Sequence, residues 1–314
     1  MMVMPPNLSY LRLVTRLRGS VLVRIWPRLL VTFAWAGLIT WLAEQKHLDA
    51  TLTELPFTLI GLALSIFLGF RNNTSYERFW EGRKLWGALV NTSRNLTRQV
   101  LTLVGPQQAG SPEDPEVRRF QRECVHRLAA YVHALRLHLR DAKDWRELGR
   151  LIPEDDLARL AISSNAPMRL AQDLGERLAA AYQRGWIHAQ HLPVLEHSLS
   201  QLLDIQGGCE RIKSTPIPFS YTLLIHRIVA IYCLALPLGI VTKVHGYTPL
   251  VALLVAYAFF GLDAIGDEIE EPFGTHTHDL PLSALSTMIE INVREALGET
   301  DLPRPLSPRG EVLQ

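Results

Sequence analysis

The sequence predicts an all-α membrane protein with four transmembrane helices and a large cytosolic helical region between the second and third. Three observations carry this. Four apolar runs are free of charge, at Leu29–Ala43, Leu55–Phe70, Ile228–Thr242 and Val244–Leu262. Aromatic residues that favour a membrane interface stand near run ends, at Trp26, Trp41, Tyr221 and Tyr247. Between the second and third runs, leucines, alanines and charges recur at helical spacing, and no stretch alternates as a strand does.

Each run holds roughly 15 to 19 residues, slightly under the ~20 that a lone spanning helix needs. Length alone therefore leaves buried soluble helices open, and charge decides. The segment 1–28 carries Arg12, Arg16, Arg18, Arg24 and Arg28, and arginines follow Phe70 closely. The loop between the first two runs offers only Lys46, and the last two runs are separated at Lys243. Positive charge concentrates on the cytoplasmic side of a membrane, which places both termini and the middle region there. The division read from this is 1–28 cytosolic, 29–70 transmembrane helices 1 and 2, 71–220 cytosolic and helical, 221–262 transmembrane helices 3 and 4, and 263–314 cytosolic. The expected location is the cell inner (plasma) membrane, crossed several times.

Bulk properties exclude more than they assign. With 32 basic and 31 acidic residues among 314 the net charge is +1, which points to no nucleic-acid partner. A mean hydropathy of +0.09 with 20% charged residues suits a chain that is part membrane and part aqueous. Cys124, Cys209 and Cys233 are odd in number and far apart, so they read as reduced structural thiols. No phosphate-binding glycine loop, nucleophile elbow or paired-carboxylate site is present, so no enzyme, cofactor or metal is expected.

Within the second run, small residues fall at Gly61, Ser65 and Gly69 and bulky ones at Leu62, Ile66 and Phe70. Both sets repeat every fourth residue and so form two neighbouring stripes on a helix. Small residues let another helix approach closely, as membrane helices do. The bulky stripe has two fates: ordinary core or lipid contact, or stacked hydrophobic rings around an axis shared by several copies. No internal repeat is present, so such symmetry has to come from separate chains.

The polar middle is predicted helical at Glu116–Asp141, Glu154–Ile162, Pro167–Arg184 and Leu192–Ile212, after a breaker-rich loop at Gly105–Pro115. His126 and His133 share one face of the first of these, where packing or solvation accounts for them. Arg94 and Arg98, with Arg83 and Lys84 upstream, make a basic ladder. Beyond Leu262 the chain turns acidic, and Asp267, Glu268, Glu270 and Glu271 form either a solvated structural cluster or a cation site. A short helix follows at Leu282–Leu297, then a tail.

Taken together, Arg18-Gly19-Ser20, Leu68-Gly69-Phe70 with Arg78-Phe79-Trp80, Gln206-Gly207-Gly208-Cys209 and Glu271-Pro272-Phe273-Gly274 span nearly the whole chain. In these the sequence resembles the bestrophins, and their bacterial homologues in particular. The resemblance implies a homopentameric channel for monovalent ions in the lipid bilayer, with a hydrophobic neck at Leu62, Ile66 and Phe70. It also implies a cytosolic constriction within His191–Glu196, for which Leu192, Val194 and Glu196 are candidates. Likeness to the bacterial members implies cations such as sodium, whereas animal members conduct anions; the competing reading from the residues alone is a non-channel helical scaffold tethered by the four runs. The sequence departs from the animal pattern after Pro272-Phe273-Gly274. There Thr275-His276-Thr277-His278-Asp279 offers one carboxylate where a calcium clasp uses a dense acidic run.

Overall fold

The computed structural model describes residues 2–3, 12, 14–17, 19–45, 53–106, 114–308 and 312–313. Arg18 of the first motif and Lys46 lie outside them. Nine α-helices are described: α1 Leu22–Glu44, α2 Glu54–Leu103, α3 Pro115–Leu139, α4 Glu154–Ala161, α5 Ala166–Gln183, α6 Leu192–Ser214, α7 Phe219–Val244, α8 Thr248–Glu270 and α9 Leu282–Ala296. Pairing of two-residue strands is confined to Met2–Val3 with Val312–Leu313 among the described residues.

Three stretches are long and apolar enough to cross a membrane, Leu22–Glu44, Leu55–Leu103 and Phe219–Glu270. The third is two helices. A 3-10 turn at His245–Tyr247 separates α7 from α8, and His245 takes φ +47° there. Helix α2 is continuous for 50 residues, because no glycine pair or proline interrupts the passage from the apolar run into the arginine-rich segment. Pro193, by contrast, falls in the first turn of α6, where its missing N–H has no partner to lose.

Contacts divide the chain into two compact units. The first holds residues 5–80 and 216–271, and the second holds 1–4, 81–215 and 272–314. In the first unit, α1, α7, α8 and the early part of α2 meet in a core of Ile25, Leu29, Leu64, Leu68, Ile225, Val229, Cys233, Ala256, Phe260 and Ala264. Glycines permit the closest approaches. A β-carbon on Gly61 would lie 2.6 Å from the Tyr232 hydroxyl, and one on Gly239 would collide with the Phe57 ring.

The second unit is built around α3, whose Leu128, Tyr131 and Leu135 are fully enclosed. Asp114 caps the start of α3 by accepting from Glu116 N at 2.8 Å, and Pro115 occupies its first turn. Asn165 caps α5 in the same manner, accepting from Met168 N at 3.1 Å. The Tyr131 hydroxyl donates to the Leu202 carbonyl at 2.7 Å and ties α3 to α6. Gly185 and Gly298 end α5 and α9 with φ of +73° and +79°, a conformation that glycine adopts without strain. Helix α9 packs on α3 through ion pairs. Glu290, wholly enclosed, accepts from His133 at 2.8 Å, Arg150 at 2.6 Å and Arg294 at 3.0 Å. Burial pushes the Glu290 carboxyl up, but these bonds and charges outweigh it and hold the group below the ordinary range. His126, on one face with His133, meets Glu299 at 2.8 Å. Arg94 of the predicted ladder donates to Asn292 of α9.

The three cysteines are free and buried. Burial pushes the thiols of Cys124 and Cys209 up to about 12, so neither is a reactive thiolate.

Candidate pore helix and its ion-pair cluster

The part of α2 in the first unit presents most of its perimeter outward. Leu64 and Leu68 are 3% and 0% exposed, whereas Leu62, Ile66 and Phe70 are 63%, 49% and 64% exposed. The bulky stripe picked out by spacing therefore stands free of the chain's own core. Of the small stripe, Gly61 faces α7, while Ser65 is exposed with its hydroxyl turned back onto the Gly61 carbonyl at 2.8 Å. A β-carbon on Gly69 would meet nothing within 4 Å. One turn beyond Phe70 the same face continues through Asn73 to Glu77, both exposed, with Asn73 donating to Glu77 at 2.9 Å.

Directly after the bulky stripe the helix turns a charge inward. Arg71 is fully buried, and its guanidinium donates to Asp263 Oδ1 at 2.7 Å and to Asp267. The local sequence of α8 makes this receptacle. Asp263 and Asp267 are one turn apart on one face, and between them Gly266 leaves space that a side chain would take from Asn72 and Arg71, 2.5 Å and 3.7 Å from a β-carbon there. His226 of α7 closes the cluster, with Nδ1 2.7 Å from Asp263 Oδ2. Arg24 and Arg28 of α1 add longer pairs, 3.7 Å to Asp267 and 3.8 Å to Asp263. The arrangement neutralises buried charge by pairing, which is how an ionisable group is retained at an apolar helix end.

The acidic cluster read from the sequence is distributed among these partners. Asp267 faces Arg71, and Glu268 is 3.9 Å from Arg24. The Glu270 carboxylate accepts from Ile217 N at 3.0 Å, and its carbonyl accepts from Arg78 at 3.1 Å. Glu271 is exposed. Among the described residues no three histidine, cysteine or carboxylate groups are placed to hold a metal ion. Sequence reasoning misses Arg71, His226 and Asp263. The signal that finds Arg71 and Asp263 is an ionisable residue at the end of each of two apolar runs, opposite in sign.

At the start of α6, in the second unit, Val194 and Glu196 are exposed, Leu192 is half-buried and Leu195 belongs to the core. On the helix Leu192 and Glu196 share a face, and Val194 stands on the nearly opposite one.

Comparison with known proteins agrees with this architecture. Residues 1–295 match a family described as Bacterial/Fungal Bestrophin protein. A voltage-dependent anion channel-forming protein of Ralstonia nicotianae is 41% identical, over 99% of this chain and 100% of the relative. The voltage-dependent anion channel-forming protein YneE of Escherichia coli is 37% identical, over 98% of each. Among solved structures, a mutated bacterial bestrophin homologue from Klebsiella pneumoniae superposes with a TM-score of 0.81 at 33% identity, covering 88% of this chain and 100% of that one. Match, identity and fold converge, and the chain belongs to the bestrophin family in its bacterial and fungal branch.

Proposed function

We propose that this chain is the subunit of an ion channel in the inner membrane, a homopentamer whose pore is lined by α2. The observation that carries the reading is the exposure of Leu62, Ile66 and Phe70 on one face of a helix whose opposite face is core. Copies arranged about an axis would turn that face inward as three stacked rings. Such rings cannot replace an ion's hydration shell, so a narrow neck dewets and blocks current, and a wider one passes ions. Transport of this kind needs no catalytic residue. A second ring at the α6 start, from Val194 or from Leu192 and Glu196 on the opposite face, is the proposed cytosolic constriction. The arginines of 1–28 and those after Phe70 support a cytoplasmic position for both termini.

Hydrophobic rings gate better than they select, and the sign of the ion is set by the charges around them. The names of the relatives at 41% and 37% identity favour anions over the cations expected from the family resemblance, and anions are the first reading. One observation favours cations. Glu77 continues the pore-facing stripe below Phe70, so its ring would draw positive ions towards the neck.

The test is a planar-bilayer recording of the purified protein in asymmetric sodium chloride, paired with Ile66→Ala. The expected result is current in the wild type and larger current in the variant, reversing towards the chloride potential. Reversal towards the sodium potential would keep the pore and select the second reading. Silence from both proteins, as intact oligomers, would overturn the channel.

A further inference from the structure

We infer that the first unit carries a binding site for an anionic phospholipid, in a groove among α1, α7 and α8. This rests on the membrane placement proposed above, not on the sign of the ion. The groove has a volume of about 470 Å³. Its chemistry is divided by position. Arg28, His226 and Asp263 occupy one end, and Val31, Ala230, Leu234 and Phe260 supply apolar walls.

On α7 the lining residues His226, Ala230 and Leu234 are spaced by four, so the groove follows that helix for about 12 Å at 1.5 Å per residue. At the apolar end Trp35 donates to the Leu234 carbonyl at 2.8 Å and braces α1 on α7. A slot of this form matches an amphiphile, with a hydrocarbon chain against the apolar walls and a polar head at the charged end. In the bilayer core an apolar slot holds a lipid chain rather than water.

The charged end favours an anionic head. Asp263 is already occupied on both oxygens, by Arg71 and by His226. Arg28 is half exposed, and its contacts are 3.8 Å to Asp263 and 5.7 Å to the Phe260 ring, both longer than a hydrogen bond. Its planar fork is therefore available to a phosphate, the group it binds in bidentate fashion. Arg24, also half exposed, stands one turn earlier on the same helix, where it faces Asp267 and Glu268 at 3.7 Å and 3.9 Å and leaves Arg28 as the head-group ligand. Both lie at the cytoplasmic end of α1, where the leaflet is negative.

The experiment is native mass spectrometry of the full-length oligomer with phosphatidylglycerol or phosphatidylcholine of identical chains, with bilayer current recorded on the same preparations. The expected result is preferential retention of phosphatidylglycerol. Arg28→Gln should weaken that retention about tenfold and leave phosphatidylcholine unaffected. Ala230→Phe, which fills the slot, should remove both lipids. Equal retention of the two lipids, retention insensitive to both variants, or an intact oligomer that holds no lipid because another copy covers the groove would each overturn the inference. A wild-type oligomer that conducts but retains no lipid refutes the site alone, whereas wild-type lipid retention without current refutes the channel alone.

Discussion

Arg71 and Asp263, 192 residues apart in sequence, share a 2.7 Å bond with both side chains out of solvent. An isolated charge in that position would be strongly disfavoured, so each group depends on the other more than on any packing it provides. Arg71→Ala should cost about 3–5 kcal/mol, because it removes the closest partner of Asp267 and the buried partner of Asp263 and leaves them only His226 and the longer Arg24 and Arg28 pairs. The double variant Arg71→Met with Asp263→Asn should recover a large part of that loss. Thermal unfolding of the detergent-solubilised protein, followed by loss of the oligomer peak on size exclusion, reads both outcomes.

In the second unit the enclosed Glu290 predicts acid sensitivity. Its folded carboxyl is held below the ordinary glutamate value of 4.5 by His133, Arg150 and Arg294, despite burial. A group depressed in this way stabilises fully above its unfolded value, and the contribution is lost as pH falls through the folded one. Glu299, depressed likewise by Arg294 and His126 against the opposing effect of burial, acts in the same direction. Melting temperature should therefore decline from about pH 4.5 downward. Glu290→Gln should cost about 2 kcal/mol at neutral pH. It should also flatten that acid limb, and an unaltered limb would argue for other carboxylates.

The helices of the middle region are legible in the sequence because their apolar spacing and breakers are local. Spacing predicts Glu154–Ile162 and Leu192–Ile212, and the helices run Glu154–Ala161 and Leu192–Ser214. The end of the second span is harder to place, since hydropathy stops at Phe70 while the helix continues to Leu103. Among candidate site residues, the four-residue spacing of Leu62, Ile66 and Phe70 is enough to group them on one exposed face. Arg71 is not legible as a buried residue. An arginine after an apolar run reads as an interfacial anchor, and its burial depends on Asp263, Gly266 and Asp267 in a helix far along the chain. The pairing of His133 is hidden for the same reason, because Glu290 lies 157 residues away.

Two glycines separate packing within a chain from packing between copies. Gly239→Ala would drive a methyl group into Phe57 and should destabilise the first unit by about 1–3 kcal/mol. Gly69 meets nothing within 4 Å in its own chain, so Gly69→Val should leave the fold intact. If the small stripe admits a neighbouring copy, the same substitution should shift the oligomer towards monomer. Circular dichroism with light scattering separates the two effects, and an unchanged oligomer would assign that stripe to lipid.

Glu77 provides the sharpest test of selectivity because its effect has one sign under either reading. It is exposed on the face that holds Leu62, Ile66 and Phe70, and its partner Asn73 is neutral. A ring of carboxylates there lowers the energy of a nearby cation and raises that of an anion by about 1 kcal/mol per charge in a water-filled vestibule. Glu77→Gln should therefore shift the reversal potential in a sodium chloride gradient towards chloride, changing the permeability ratio about thirtyfold or more at low ionic strength. High salt should shrink the shift, since mobile ions screen the ring. A shift towards sodium, or none at low ionic strength, would place Glu77 away from the ion path and remove the observation that favours cations.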